Sequence, residues 1–96
     1  MKEYKIMKRQ RNIYVEVRIP HKYKDIFYEK REQIKQEIDK ILTGQSEFNL
    51  IEKQDVYDGK VFFTIDELYY DKLEKLAEKY NTKIPRLVRS LFFKLI

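Results

Sequence analysis

The feature that most constrains the fold of this chain is a strict alternation of apolar and polar residues in two short segments. In residues 13–19 one side of the alternation is made of Ile13, Val15, Val17 and Ile19, and in residues 60–65 it is made of Val61, Phe63 and Ile65. β-Branched and aromatic residues at a period of two predict a strand with one face buried. Pro20 closes the first strand, since proline cannot donate to a β-ladder. One half-buried strand is therefore expected in each half of the chain.

A helical period follows the first strand, from Lys22 to Leu42. Its apolar stripe consists of Tyr23, Ile26, Phe27, Ile34, Ile38, Ile41 and Leu42. The stripe is interrupted by the polar segment 30–33, so either one long helix or two short helices are compatible with it. Because no Gly, Pro or Asn marks a break, a single helix is favoured. Gly44 is the expected C-terminal stop.

The second strand leads into a helix that is expected to end near Tyr80. Asp66 stands at the N-cap position, and a capping box from Thr64 to Glu67 is an alternative. The apolar stripe of this helix consists of Tyr69, Leu73, Leu76, Ala77 and Tyr80. Asn81 is the expected left-handed stop.

A final helix is predicted from about residue 83 to the end of the chain. Thr82 is expected to cap it, and Pro85 fits only the first turn of a helix. Its apolar face consists of Ile84, Leu87, Val88, Leu91, Phe92 and Leu95, widened by Phe93 and Ile96. A helix this apolar is expected to be buried between several partners.

The connector 45–59 remains open to two interpretations. It is a linker, or its residues 47–57 hold a further strand, because Asp58-Gly59 flanked by β-formers is a hairpin signal. The fold class that follows is α+β and mostly helical. We expect one compact domain, residues 1–96, with a first half (1–44), a connector (45–59) and a second half (60–96). Since neither half can bury much apolar surface alone, a homodimer or higher oligomer is expected.

Composition and charge exclude several classes of protein. There is no cysteine, so neither a disulfide framework nor a thiol site is available. No apolar run reaches the ~18 residues of a membrane span and no signal peptide opens the chain, so an intracellular location without membrane association is expected. Of the net charge of +5, residues 1–12 contribute +4 and residues 83–96 another +4, while residues 60–82 sum to −1. Positive charge at both ends suggests a polyanionic partner. The two glycines and two prolines hint at a thermophilic protein.

The second half resembles the ribbon-helix-helix family of DNA-binding proteins, the Arc/MetJ/CopG type. The residues that carry the resemblance are the strand 60–65, the cap Asp66-Glu67, the segment Leu73-x-x-Leu76-Ala77, the turn 81–83 and Leu87-Val88-Arg89. The first half repeats strand and helix, and Val17-Arg18-Ile19-Pro20 is similar to the strand end of that family. It is interpreted as a degenerate second copy that lacks the inter-helix turn. The whole chain is then similar to tandem ribbon-helix-helix regulators of filamentous archaeal viruses, for which the location would be the host cytoplasm.

The resemblance implies that two antiparallel strands enter the major groove of double-stranded DNA, where each base pair shows a distinct pattern of donors and acceptors. The base-reading residues would be Lys60, Phe62 and Thr64 in the second half and Tyr14, Glu16 and Arg18 in the first. The function implied is sequence-specific regulation of transcription, as a repressor, without cofactor, metal or small-molecule substrate.

Phosphate contacts are expected at two places. The final helix begins with Lys83 and Arg86 and has no carboxylate in its first turn, which favours an anion at its N-terminus. The contact residues there would be Thr82, Lys83, Ile84 and Arg86. The alternative is that Lys83 and Arg86 are solvated or paired with acids of a neighbouring helix. The N-terminal arm, with Lys8, Arg9 and Arg11, would follow the DNA backbone or would be a disordered tail.

No catalytic constellation is recognisable, so the chain is not expected to be an enzyme. The single histidine, His21, stands at a strand-to-helix junction, and neither a glycine-rich phosphate loop nor metal-ligand spacing occurs. The main alternative function is a protein-interaction module, such as a viral host-factor inhibitor or an antitoxin. RNA binding is less favoured, because only Tyr14 and Phe62 are aromatic residues on an exposed strand face.

Overall fold

The computed structural model describes residues 11–96. Its elements are β1 (Asn12–Ile19), a 3₁₀ turn (His21–Tyr23), α1 (Lys24–Glu29), α2 (Arg31–Leu42), β2 (Gly59–Asp66), α3 (Glu67–Lys79) and α4 (Ile84–Leu95). The two strands form one antiparallel ribbon within the chain, with a register that runs from Asn12↔Asp66 to Ile19↔Gly59. The prediction of a mostly helical α+β fold with one strand in each half is therefore confirmed.

The inner face of the ribbon packs on the helices and supplies much of the core. Along both strands buried and exposed positions alternate, as the sequence predicts. The buried residues of the inner face are Val15, Val17, Ile19, Val61, Phe63 and Ile65. Phe27 of α1 stands at the centre of the core, because its ring meets those of Phe63 and Phe92 edge to face at 6.4 and 5.3 Å between centroids. Such aromatic pairs add to the stability that burial alone provides.

The region predicted as a single helix, residues 22–42, is divided at Lys30. That residue has φ −96° and ψ 2°, and it ends α1 and precedes α2. The break coincides with the polar interruption of the apolar stripe, and it allows Phe27 and Ile34 on either side to be fully buried in the same core. The preference for one continuous helix was therefore wrong: the chain turns at Lys30 although no helix-breaking residue stands there. An inter-helix turn, taken as missing from the first half, is present.

The connector between α2 and β2 is irregular, because residues 43–58 contain no helix or strand. The interpretation of this region as a linker is confirmed, and the alternative of a strand within 47–57 is wrong. Asp58-Gly59 does not form a hairpin turn either. The Asp58 carboxylate accepts a hydrogen bond from the His21 backbone N–H at 2.8 Å. A Cβ at Gly59 would stand 2.8 Å from the Cα of His21. The pair marks a close backbone approach, which glycine alone permits.

The predicted helix ends are mostly confirmed. Asp66 caps α3, since its Oδ1 accepts from the Tyr69 N–H at 2.8 Å, and the alternative box from Thr64 is not used. Asn81 has φ +55° and Gly44 has φ +80°, as left-handed stops require. The expected cap by Thr82 is wrong: Lys83 is the N-cap residue of α4, and no side chain caps it.

The apolar stripes of the helices are also buried largely as predicted. Leu42 and Ile96 are the exceptions, with 37% and 40% of their surface exposed. Both stand at the C-terminal end of a helix, Leu42 as the last residue of α2 and Ile96 as the residue after α4. Periodicity assigns a residue to a face of a helix, whereas burial also requires that neighbouring elements extend to that end.

The two halves share the order strand, helix, helix, and the antiparallel pairing gives the backbone of the ribbon a local two-fold axis. Val15 and Val61 are buried at matching places, and Pro20 and Asp66 precede the helix that follows each strand; both pairs are 46 positions apart. With that spacing, Glu16 is the residue that lies opposite its own counterpart, Phe62. The first helices differ in length, since α1 has 6 residues and α3 has 13, whereas α2 and α4 both have 12.

Candidate nucleic-acid interface

The six residues predicted to read bases lie together on the side of the ribbon that faces away from the helices, which we call the outer face. The register places them in three directly opposed pairs: Tyr14↔Thr64, Glu16↔Phe62 and Arg18↔Lys60. Five of the six are exposed and Thr64 is half-buried. Tyr14 and Phe62 expose 64% and 39% of their surface. Residues that are 42 to 50 positions apart in the chain thus form one continuous surface.

Two backbone groups show that the side chains of the opposed pairs on the outer face lie close together. The backbone N–H of Phe62 does not bond across the ribbon but donates to the Tyr28 hydroxyl at 3.2 Å. The Arg18 carbonyl likewise points away from β2 and accepts from the Arg89 guanidinium at 3.3 Å. Because hydrogen-bonded and non-hydrogen-bonded pairs alternate along an antiparallel ladder, all three outer pairs are non-hydrogen-bonded. Their side chains therefore stand close together, about 4.5–5.5 Å apart at Cβ.

Charge is distributed unequally along the outer face. Arg18 and Lys60 form one end, and Glu16 beside them accepts from the Arg18 Nε at 3.2 Å. The opposite end presents the hydroxyls of Tyr14 and Thr64. Like charges that lie directly opposite destabilise a ribbon, so the Glu16 carboxylate offsets part of the repulsion between the two cations. Among these six residues, the two cations therefore stand at one end and the two uncharged hydroxyls at the other.

Two residues next to the outer face were missed by sequence reasoning. Tyr28 of α1 covers the edge of β2 at Phe62, and the Arg31 guanidinium carbon lies 5.1 Å from the centre of the Tyr28 ring. Arg31 also donates to the Tyr28 carbonyl at 3.2 Å. It is the first residue of α2, as Ile84 is the first residue of α4. The polar interruption at residues 30–33 was the signal for this cationic helix start, but with one continuous helix there was no N-terminus to assign it to.

The start of α4 carries fewer free cations than its sequence suggests. Arg86 pairs with Glu52 of the connector, Nε to Oε2 at 2.9 Å, whereas Lys83 is exposed. The buried hydroxyl of Thr82 has no hydrogen-bond partner among residues 11–96. The groove beside it is lined in part by Glu74 and Glu78. The acid that pairs with Arg86 thus comes from the connector and not from a neighbouring helix, and carboxylates close to the helix start oppose an anion there.

Arg89 has a role that its sequence position does not reveal. Its side chain is half-buried. Its guanidinium carbon lies 4.6 Å from the centre of the Tyr57 ring, while one of its nitrogens donates to the Arg18 carbonyl. A planar guanidinium suits both contacts at once. Arg89 thus connects α4 and the connector to the cationic end of the ribbon.

Arg11 is exposed immediately before β1, next to the Tyr14–Thr64 end of the outer face, whereas Lys8 and Arg9 lie outside the described residues.

Among residues 11–96 no helix is long and apolar enough to cross a membrane. The same part of the chain contains no group of three or more His, Asp or Glu side chains placed to hold a metal ion.

Comparison with protein-family models, with curated proteins and with solved structures gives no match for this chain.

Proposed function

We propose that this chain binds double-stranded DNA sequence-specifically through the outer face of its ribbon and regulates transcription as a repressor. The observation that carries the proposal is the placement of Tyr14, Glu16, Arg18, Lys60, Phe62 and Thr64 on one side of a two-stranded antiparallel ribbon. A ribbon of this kind has the width of the major groove, where base edges can be distinguished. The resemblance to the ribbon-helix-helix family points to the same function.

The chemistry of the outer face is suited to base edges in part. Arg18 and Lys60 can donate to the O6 and N7 atoms of guanine, and Thr64 can bond either to a donor or to an acceptor. Phe62 offers an apolar contact to a thymine methyl. Glu16 would serve mainly to orient Arg18, since its carboxylate already accepts from the Arg18 Nε. This division gives each cross-strand pair at least one side chain that can contact bases.

Contacts to phosphate would surround the ribbon. Lys83 at the start of α4 and Arg31 at the start of α2 are exposed cations at helix N-termini, where backbone N–H groups add to the attraction of an anion. Arg86 would have to exchange its ion pair with Glu52 for a phosphate. It is therefore a weaker candidate for a phosphate contact than its position in the sequence indicated. Arg11 would extend the contacts from the other end of the ribbon, together with Lys8 and Arg9.

The test is a mobility-shift titration of the purified protein on duplexes from the region upstream of its own gene, repeated over a series of salt concentrations. Affinity should differ between duplexes and fall steeply with salt, because phosphate contacts release counterions. Substituting both Lys60 and Thr64 by alanine in one variant should abolish the preference while circular dichroism shows an intact fold. Lys75→Ala, which removes an exposed lysine from α3, is the matched control. Equal affinity for all duplexes that does not respond to salt would refute the proposal.

The exposed aromatic rings of the outer face favour a second candidate, a protein-interaction module. Tyr14 and Phe62 are aromatic residues of the kind that anchor protein interfaces, and both are exposed on the outward side of the ribbon. The two functions differ in what co-purifies with the chain and in the effect of substitutions. A protein partner should be lost with Tyr14→Ala or Phe62→Ala and retained with Lys60→Ala, whereas DNA binding should be most sensitive to Lys60→Ala.

A further inference from the structure

The outer face of the ribbon lacks the symmetry of the backbone that carries it. The local two-fold axis through Glu16 and Phe62 relates Arg18 to Thr64 and Lys60 to Tyr14. In a ribbon built from two identical strands, every side chain would have an identical counterpart across such an axis. Here none of the three pairs of counterparts matches in chemistry: a carboxylate corresponds to a phenyl ring, a guanidinium to a hydroxyl, and an ammonium to a phenol.

Each end of the outer face is formed by one side chain from each strand. The chemical difference between the two ends is therefore larger than either strand alone would give. Arg18 and Lys60 are directly opposed and place two cationic donors at one end, while Tyr14 and Thr64 are directly opposed and place two hydroxyls at the other. At about 3.4 Å per residue, the four-residue distance from Tyr14 to Arg18 is about 14 Å, which corresponds to roughly four base pairs of B-DNA. The two ends would therefore meet different base pairs.

We infer that the DNA site read by one chain is non-palindromic, with guanine at the Arg18–Lys60 end and A·T pairs at the Tyr14–Thr64 end. Arginine and lysine donate to guanine O6 and N7, while the threonine methyl group fits against the methyl group of thymine. Because both strands come from one chain, no symmetry obliges the two ends to read the same bases. This inference rests on the proposed function and adds the kind of site that it would recognise.

The experiment is a selection of duplexes from a randomised pool by the purified full chain, followed by trimming of the enriched duplex to about one helical turn. Native mass spectrometry then gives the number of chains bound to the trimmed duplex. The expected result is one chain on a motif without internal two-fold symmetry. A palindromic motif bound by a single chain would overturn the inference and leave DNA binding in place.

Substitutions at the two ends of the ribbon provide the second readout. Lys60→Ala should lower affinity for the selected duplex about 5- to 150-fold and relax base preference only at the guanine end. Thr64→Ala should relax preference only at the opposite end, and Lys75→Ala on α3 should change neither. Relaxation of the same positions by both outer-face variants would refute the assignment of the ends. Enrichment of no duplex above the input pool would instead refute the proposed function itself.

Discussion

Arg18 and Lys60 lie directly opposite each other in a closely spaced pair of the ribbon, although both carry a positive charge. Like charges in this position lower the stability of a sheet by a few tenths of a kcal/mol up to about 1 kcal/mol. Glu16 neutralises only one of them, because its carboxylate is bonded to Arg18. Two cations held side by side towards solvent at some cost in stability support the polyanion-binding surface that we propose.

The first prediction separates the stability of the ribbon from its binding. Lys60→Thr removes one of the opposed charges and keeps a residue that favours strands, so we expect the free energy of unfolding to change by less than about 0.5 kcal/mol or to rise. Duplex binding should weaken in the same variant. Urea unfolding and a mobility shift measure the two quantities, and a clear loss of stability would show that Lys60 has a structural role instead.

The second prediction concerns the hydrogen bond between Tyr28 and the edge of β2. Tyr28→Phe removes the acceptor for the Phe62 N–H, so that amide should exchange with solvent faster while amides within α3 and α4 keep their rates. Global stability should fall by about 1 kcal/mol or less, since water can replace an exposed partner. Hydrogen exchange by NMR measures the effect. Tyr14→Phe, which changes a hydroxyl on the outer face, should leave the Phe62 amide unaffected.

The third prediction distinguishes the two glycines. At Gly59 a Cβ would lie 2.8 Å from the Cα of His21 and 2.9 Å from the Ile19 carbonyl oxygen, whereas at Gly44 the space is open but φ is +80°. Gly59→Ala should therefore cost about 1–3 kcal/mol through overpacking. Gly44→Asn should be tolerated, because asparagine adopts the left-handed region more readily than other side chains. Denaturant unfolding measures the free energy of unfolding of each variant. Equal losses of that free energy in Gly59→Asn and Gly44→Asn would contradict the prediction.

The fourth prediction follows from the ion pairs of Glu37. The hydrogen bond from Lys94, at 2.7 Å, and a second from Lys40 hold the pKa of the Glu37 carboxyl below its usual value. A lowered pKa in the folded state stabilises the protein above the unfolded pKa of about 4.3, and this contribution is lost as the pH falls through the folded value. Both lysines are about half exposed, so the contribution is at most about 1 kcal/mol.

Glu37→Gln should accordingly be less stable than the unmodified chain at pH 7, with a difference that shrinks as the pH falls below about 4. Urea unfolding at pH 7, 5 and 3 measures it. Glu47→Gln, at an exposed carboxylate of the connector, should show little difference at any of these values. A Glu37→Gln effect that does not depend on pH would mean that packing and not charge is responsible.

Alternation at a period of two was sufficient to predict both strands to within one residue and to predict which side chains face outward. Burial of Val17 and Val61 and exposure of Tyr14 follow directly from it. The cap at Asp66 and the stop at Asn81 were equally predictable, because each depends on the conformational preference of a single residue.

The break at Lys30 was not predictable from such local rules. No Gly, Pro or Asn stands near it, and the turn at Lys30 lies between Phe27 and Ile34, which are both fully buried. The pairing of Arg86 with Glu52 and the stacking of Arg89 on Tyr57 depend on where the connector runs, which no periodicity reports. For the same reason Tyr28 and Arg31 were recognisable as part of the candidate site only in three dimensions.

Because β1 pairs with β2 inside one chain, the stability of the ribbon does not depend on protein concentration. Strands supplied by separate molecules come apart as concentration falls, whereas strands tied by residues 20–58 meet at an effective concentration that the covalent connection sets. The ribbon therefore has no assembly threshold. The surface that we propose for binding is accordingly complete in a single molecule, and its formation does not depend on the number of copies in the cell.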